Sequence, residues 1–194
     1  MEVVTRSIGA SRSAAHPLAG GVAGAPGSAY GPVPVPRFEI RPAQRADGPA
    51  LVRLVRGLAD FENLPPPDDA AARRLVQDAF GPRPRFDVLV AAVAGEVRGY
   101  ALFLETYSTF RAAPSLWLED LFVDADVRGQ GVGLALMRAV ARVAVERGCH
   151  RFEWTVLDWN ERARRFYQSL GARLLGEWQV CRVEGDELTV LASA

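Results

Sequence analysis

Lysine is absent from this 194-residue chain; all 23 basic residues are arginine. That excludes a lysine Schiff base and the lysine of a P-loop. With Ala and Gly abundant, the absence reads as genomic coding bias rather than functional choice. Cysteine is scarce: Cys149 and Cys181 lie far apart in no CxxC or CxxH pattern. No zinc ligand set and no disulfide framework follow from such a pair, so no metal is expected, and a reducing cytoplasm fits. His16 and His150 are the two histidines, so a His-based triad has little to build on. Basic and acidic residues balance at 23 each. The total charge therefore predicts neither nucleic-acid nor anionic-membrane binding. No apolar run approaches the roughly 18 residues of a membrane span. What is there, 49% hydrophobic and 24% charged residues, suits one soluble domain with a substantial core.

Residues 1–36 are dominated by Gly, Ala, Ser and Pro and show no helical or strand period. They read as a disordered leader, a transit peptide or an over-called start, and the domain is placed at 37–194. From Phe38 the texture changes. FEIR is a short strand. Leu51, Leu54, Val55, Leu58 and Phe61 recur at helical spacing. NLPPP breaks that helix, and an Asp cap restarts another at DDAAARRLVQDAF. FDVLVAAVAGEVRGYALFLETY is a hairpin turning at Gly95-Glu96. A strand at SLWLEDLFV, a helix of about 17 residues from Gly131 (roughly 25 Å), a strand at RFEWTVLD and a helix at NERARRFYQSLG follow. GEWQVCRVEGDELTVLA reads as a closing hairpin turning at Gly185-Asp186. The order β-α-α-β-β-β-α-β-α-β-β is an α/β (α+β) domain around one sheet.

RGQGVG follows a strand and opens a helix. Gly129, Gly131 and Gly133 permit close backbone approach and positive φ. The helix N-terminus offers unpaired N–H groups to an anion, and Arg128 adds a cationic fork. The motif fails as a Walker A loop for want of lysine, and as GxGxxG because Leu134 stands where glycine is needed. A plain strand-to-helix turn that binds nothing is the competing reading.

Arg128, Gly131 and Gly133 as RxxGxG, with DWNERARRFYQSLGA after the next strand, resemble the coenzyme A region of the GNAT acyltransferases. FEIRPA, LADFE, LWLEDLFV, RGQGVG, WNE and RFYQSLGA together look most like the diamine (spermidine/spermine) acetyltransferase branch and its thialysine-acetylating relatives. The resemblance runs from Phe38 onward, although Arg162 stands where the branch has proline. It implies a mixed, mostly antiparallel sheet flanked by helices. It also implies an acetyl-CoA-dependent N-acetyltransferase acting on a polyamine, diamine or amino-acid-like amine. A protein N-terminus, an antibiotic amine, or non-catalytic acyl-CoA binding is the alternative.

By that resemblance Glu119 is the base, directly or through a water, and Tyr167 the acid near the CoA sulfur, with Phe166 taking the packing role beside it. Asn160, a good N-cap in its own right, contacts CoA. So do the main chain of Leu121, Phe122 and Val123, pairing with pantetheine like an added strand, and the Arg128, Gly129, Gln130, Gly131, Val132 and Gly133 loop. Asp120 and Glu62 receive the cationic substrate, with Asp60 near the same entrance. As neighbours on a strand, Glu119 and Asp120 are expected on opposite faces. Relatives of this kind are homodimers, and the apolar ELTVLA edge is expected to be covered by a partner.

Overall fold

The computed structural model describes residues 38–193. The leader expected over 1–36 lies outside them. Two compact units divide the chain, one ending at Trp154 and the other beginning at Thr155.

The first unit is built on a five-stranded sheet in the order β1 (Phe38–Pro42), β2 (Asp87–Val93), β3 (Glu96–Ser108), β4 (Ala113–Val123), β5 (Arg151–Trp154). Successive neighbours are antiparallel except β4 and β5, which run parallel. The β2–β3 hairpin turns on Ala94 and Gly95, both with positive φ. That is the two-residue geometry whose twist suits flanking strands, and it lies one residue earlier than the sequence suggested.

Helices α1 (Gly48–Glu62) and α2 (Asp69–Phe80) cover one face. The helical spacing in α1 buries Leu51 and Leu54 against Val88, Val90, Tyr100, Leu102 and Phe122, with Ala79 of α2 joining them. Pro49 sits in the first turn of α1, where its missing N–H costs nothing, and left-handed Asn63 ends the helix. Asp68 caps α2 by accepting from the Ala71 N–H at 2.7 Å. A Cβ on Gly57 would approach the Phe122 ring at 3.2 Å; glycine there lets α1 lie close to β4.

Helix α3 (Val132–Glu146) buries Val132, Leu136, Met137 and Val140. It lies over the opposite face, where a Cβ on Gly99 would meet Leu136 Cδ1 at 3.5 Å.

The second unit holds α4 (Glu161–Ser169) and α5 (Asp186–Ala192). The closing hairpin is not formed. Residues 172–185 carry no strand, and ELTVLA lies in α5. Alternation alone cannot make a strand without a paired neighbour. Gly185 (φ +61°), followed by Asp186 and Glu187 in the first turn, starts a helix instead, because acids suit a helix N-terminus. The strand expected over RFEWTVLD stops at Trp154.

Candidate active site

The β4–β5 ladder runs from Ser115↔Arg151 to Leu118↔Trp154 and ends there. Beyond it, the β5-facing edge of β4 from Glu119 to Val123 has no strand partner among the described residues. This is the condition for a ligand's amides to pair with that edge as an added strand would. The residues expected to do so, Leu121, Phe122 and Val123, lie on that segment.

The β3–β4 ladder contains one irregularity. Leu102 pairs with Asp120 but Phe103 pairs with Leu118, so Glu119 is an extra residue, a β-bulge. The bulge overturns the expectation that Glu119 and Asp120 face opposite ways. Asp120 shares the α1 face with its partner Leu102 and with Tyr100, whose hydroxyl donates to Asp120 Oδ2 at 2.9 Å. Trp117 pairs with Leu104, on that same face, and its indole Nε1 donates to Glu119 Oε2 at 2.8 Å. One inserted residue thus brings both carboxylates to one side of the sheet.

Their surroundings differ sharply. Glu119 is exposed, whereas Asp120 is half-buried. Burial pushes the Asp120 carboxyl up to about 6, against the lowering effect of the Tyr100 hydrogen bond; the charges of Glu119 and then Glu62 raise it further. Burial, with the Asp120 charge beside it, drives the Tyr100 phenol far upward, so it remains a donor. Glu62, at the end of α1, therefore acts on the same spot as Asp120. Asp60 is exposed on that helix. A face carrying three acids attracts a cation.

Past Val123 comes a short 3-10 turn over Ala125–Val127, then Arg128, Gly129 (φ +80°), Gln130, Gly131 (φ +84°) and α3. Both positive φ values fall on glycine, where they carry no Cβ penalty. Gly133 lies within α3. No side chain caps α3, and its first ladder bond runs from Ala135 N to Gly131 O. The N–H groups of Val132, Gly133 and Leu134 are left to face an anion. Gln130 Oε1 is buried with no hydrogen-bond partner among the described residues. Such an orphan acceptor is rare and marks a place for a ligand donor or water.

Arg128 is used differently from a freely extended cation. Its guanidinium lies 5.2 Å from the ring centroids of both Phe61 and Phe122, and Nε donates to Val123 O at 2.8 Å. It ties the loop to α1 and β4.

Two acids beside this turn would repel any anion placed there, yet both are compensated. Asp124 accepts from Arg53 at 2.9 Å and from Arg98 at 2.9 Å, and Arg98 also pairs with Asp126.

In the second unit, Asn160 caps α4, its Oδ1 accepting from Ala163 N at 3.1 Å. Of the adjacent aromatics, Tyr167 is the buried one and Phe166 is not, the reverse of the packing expected from sequence. Burial pushes the Tyr167 phenol up to about 12. Among the described residues no group of three His, Cys, Asp or Glu side chains is placed to hold a metal, and no helix is long and apolar enough to cross a membrane.

Sequence reasoning missed Tyr100, Trp117, Arg53 and Arg98. The i, i+2 spacing of Trp117 and Glu119 was a usable signal for the second. Tyr100, inside GYALFL, reads as core; that a buried phenol needs a partner was the clue.

Known proteins with this pattern bear on the same segments. Residues 54–172 match the Acetyltransferase (GNAT) family. The thialysine N-epsilon-acetyltransferase of Bos taurus is 38% identical over 164 residues, covering 79% of this chain and 96% of that protein. The Homo sapiens spermidine/spermine N(1)-acetyltransferase-like protein 1 is 30% identical over 165 residues, covering 80% of this chain and 24% of that protein. Among solved structures, a Vibrio cholerae integron cassette protein superposes with a TM-score of 0.68 at 28% identity, covering 81% of this chain and 98% of that one.

Proposed function

Because the chain belongs to the GNAT acetyltransferase family, we propose that it moves the acetyl group of acetyl-CoA onto a primary amine of a small molecule. The amine is a polyamine, a diamine or an amino-acid-like amine, and the attack on the thioester is direct. One observation carries the reading. Strand β4 combines an unpaired edge leading into an anion-ready turn with a bulge presenting two carboxylates. Relatives named for thialysine and for spermidine or spermine support the substrate class.

The loop residues 128–133 would hold the coenzyme, its diphosphate at the start of α3 and its amides along Leu121–Val123; the family resemblance alone assigns Asn160 to the same coenzyme. The coenzyme supplies an activated acyl carbon and a thiolate leaving group. An amine with an ordinary pKa near 10.4 is almost fully protonated at pH 7, and freeing its lone pair costs roughly 4–5 kcal/mol. Glu119 takes that proton, directly or through a water. Asp120 and Glu62 hold the cationic substrate, and Asp120 does so best above pH 6, where it is charged. The nitrogen then forms the C–N bond as the C–S bond breaks.

By the family resemblance, Tyr167 is the proposed donor toward the departing sulfur. A phenol near 12 is a weaker acid than a thiol of ordinary pKa about 8.5. Its main contribution is therefore a hydrogen bond to developing charge, with the proton completing the thiol later.

The chain is further proposed to act in the cytoplasm, consistent with two unpaired cysteines, and as a homodimer. Trp178, Val180, Leu188, Val190 and Leu191 are all exposed and are the apolar side chains such a partner would cover. Incubation of purified protein with acetyl-CoA and thialysine, ornithine or spermidine, followed by thiol release and product mass, tests the reading. Silence with every amine would refute it.

A further inference from the structure

Glu119 has an unusual backbone. As the bulge residue it has no register partner on β3, and it lies one residue past the last β4–β5 pair. Neither neighbouring strand fixes it. Trp117, two residues earlier, is the opposite case: it is paired with Leu104 on one side and Glu153 on the other. Its half-buried indole reaches forward from this firm position and donates Nε1–H to Oε2 of the exposed Glu119 at 2.8 Å.

An indole N–H is a donor with no acceptor capacity and no titration near neutral pH. It can bind a carboxylate oxygen but never takes up the proton being moved. With one Oε2 lone pair engaged, Oε1 keeps both of its own and is the less encumbered proton acceptor. We propose that Trp117 is a positioning residue for acetyl transfer: its indole N–H anchors Oε2 of an otherwise untethered Glu119 and presents Oε1 to the amine proton or to a bridging water. This rests on the reading of Glu119 as the base. The transfer balances: one proton passes from the ammonium to Oε1, the freed lone pair makes the C–N bond as the C–S pair leaves with sulfur, and the second proton lost by the acylated nitrogen makes up the one that completes the thiol.

The test is a double-mutant cycle on the full chain, with acetyl-CoA and thialysine as substrates. Trp117→Phe keeps an aromatic ring and deletes the N–H. It should lower kcat roughly tenfold, as expected for a hydrogen bond to a charged group, and leave the KM for acetyl-CoA unchanged. In a Glu119→Gln background, the same substitution should change kcat less than about twofold, because interacting residues are non-additive. An equal loss in both backgrounds would show Trp117 acting by packing and overturn the proposal. No loss in either would also overturn it. Should Glu119→Gln alone leave kcat intact, the base assignment falls and this inference with it. Where Trp117→Phe fails to fold, benzothienylalanine at 117 replaces only the N–H by sulfur and must give the same non-additive loss.

Discussion

Replacing Asp120 by Asn should make the protein more stable while damaging amine binding. Burial lifts the Asp120 carboxyl from 3.8 to about 6, so the native state resists its ionisation. The linkage sign follows. Between those two values the native protein holds a proton that the unfolded chain has released, so stability falls as pH rises through the window. Above about pH 6 the loss is complete and constant. At 1.36 kcal/mol for each unit, the shift amounts to about 3 kcal/mol. Asparagine has nearly the same shape, keeps an oxygen for the Tyr100 hydroxyl and carries no charge. The gain should therefore be about 2–3 kcal/mol at pH 7–8, raising Tm by roughly 4–12 °C for a domain of this size. Below pH 4, where the parent's Asp120 is protonated, the gain should vanish. Thermal denaturation of both proteins from pH 4 to pH 8 checks this. A Tm difference that does not depend on pH, or a destabilised variant at pH 8, would refute the reasoning. The same variant should bind thialysine or spermidine more weakly, since stability withheld at a site is commonly given up for function.

Three further outcomes are expected. Glu119→Gln should depress the rate most below the amine's own pKa and recover at high pH, where the amine deprotonates unaided; a pH–rate profile parallel to the parent's would remove Glu119 as base. Tyr167→Phe should reduce kcat roughly 10–100-fold with little change in acetyl-CoA affinity; equal loss of both would make Tyr167 structural. Asp124→Ala leaves Arg53 and Arg98 without their shared carboxylate. It should cost about 1–2 kcal/mol, discounted for partial exposure. It should also raise the KM for acetyl-CoA by loosening the entry to the loop, which thermal melts and steady-state kinetics would show.

Local signals in the sequence proved reliable where local physics decides. The apolar spacing of Leu51, Leu54, Val55 and Leu58 set α1, and Asp68 and Asn160 act as the helix caps their residue type implied. RGQGVG became a glycine turn entering a helix. What escaped depends on pairing between distant segments. A bulge is one residue without a partner, and LWLEDLFV alternates as any strand would, so nothing in it says that Glu119 and Asp120 share a face. The same limit explains the C-terminus. GEWQVCRVEGDELTVLA has strand-like alternation, but a strand needs a neighbour, and Gly185 with the acids behind it favours a helix start. Arg128 was legible as a motif residue, while its stacking on Phe61 and Phe122 depended on α1 crossing β4. Asp120's raised pKa likewise required burial by distant segments and the charge of Glu62, 58 positions away in the chain, to be folded onto it.

The central claim is that acetyl passes from a CoA thioester to a small primary amine at β4. Mass spectrometry of a reaction containing the purified chain, acetyl-CoA and thialysine, with ornithine and spermidine in parallel, addresses it directly. At least one amine should gain a single acetyl group as an equal amount of CoA thiol is released. Unmodified amines with intact acetyl-CoA in every reaction would contradict it.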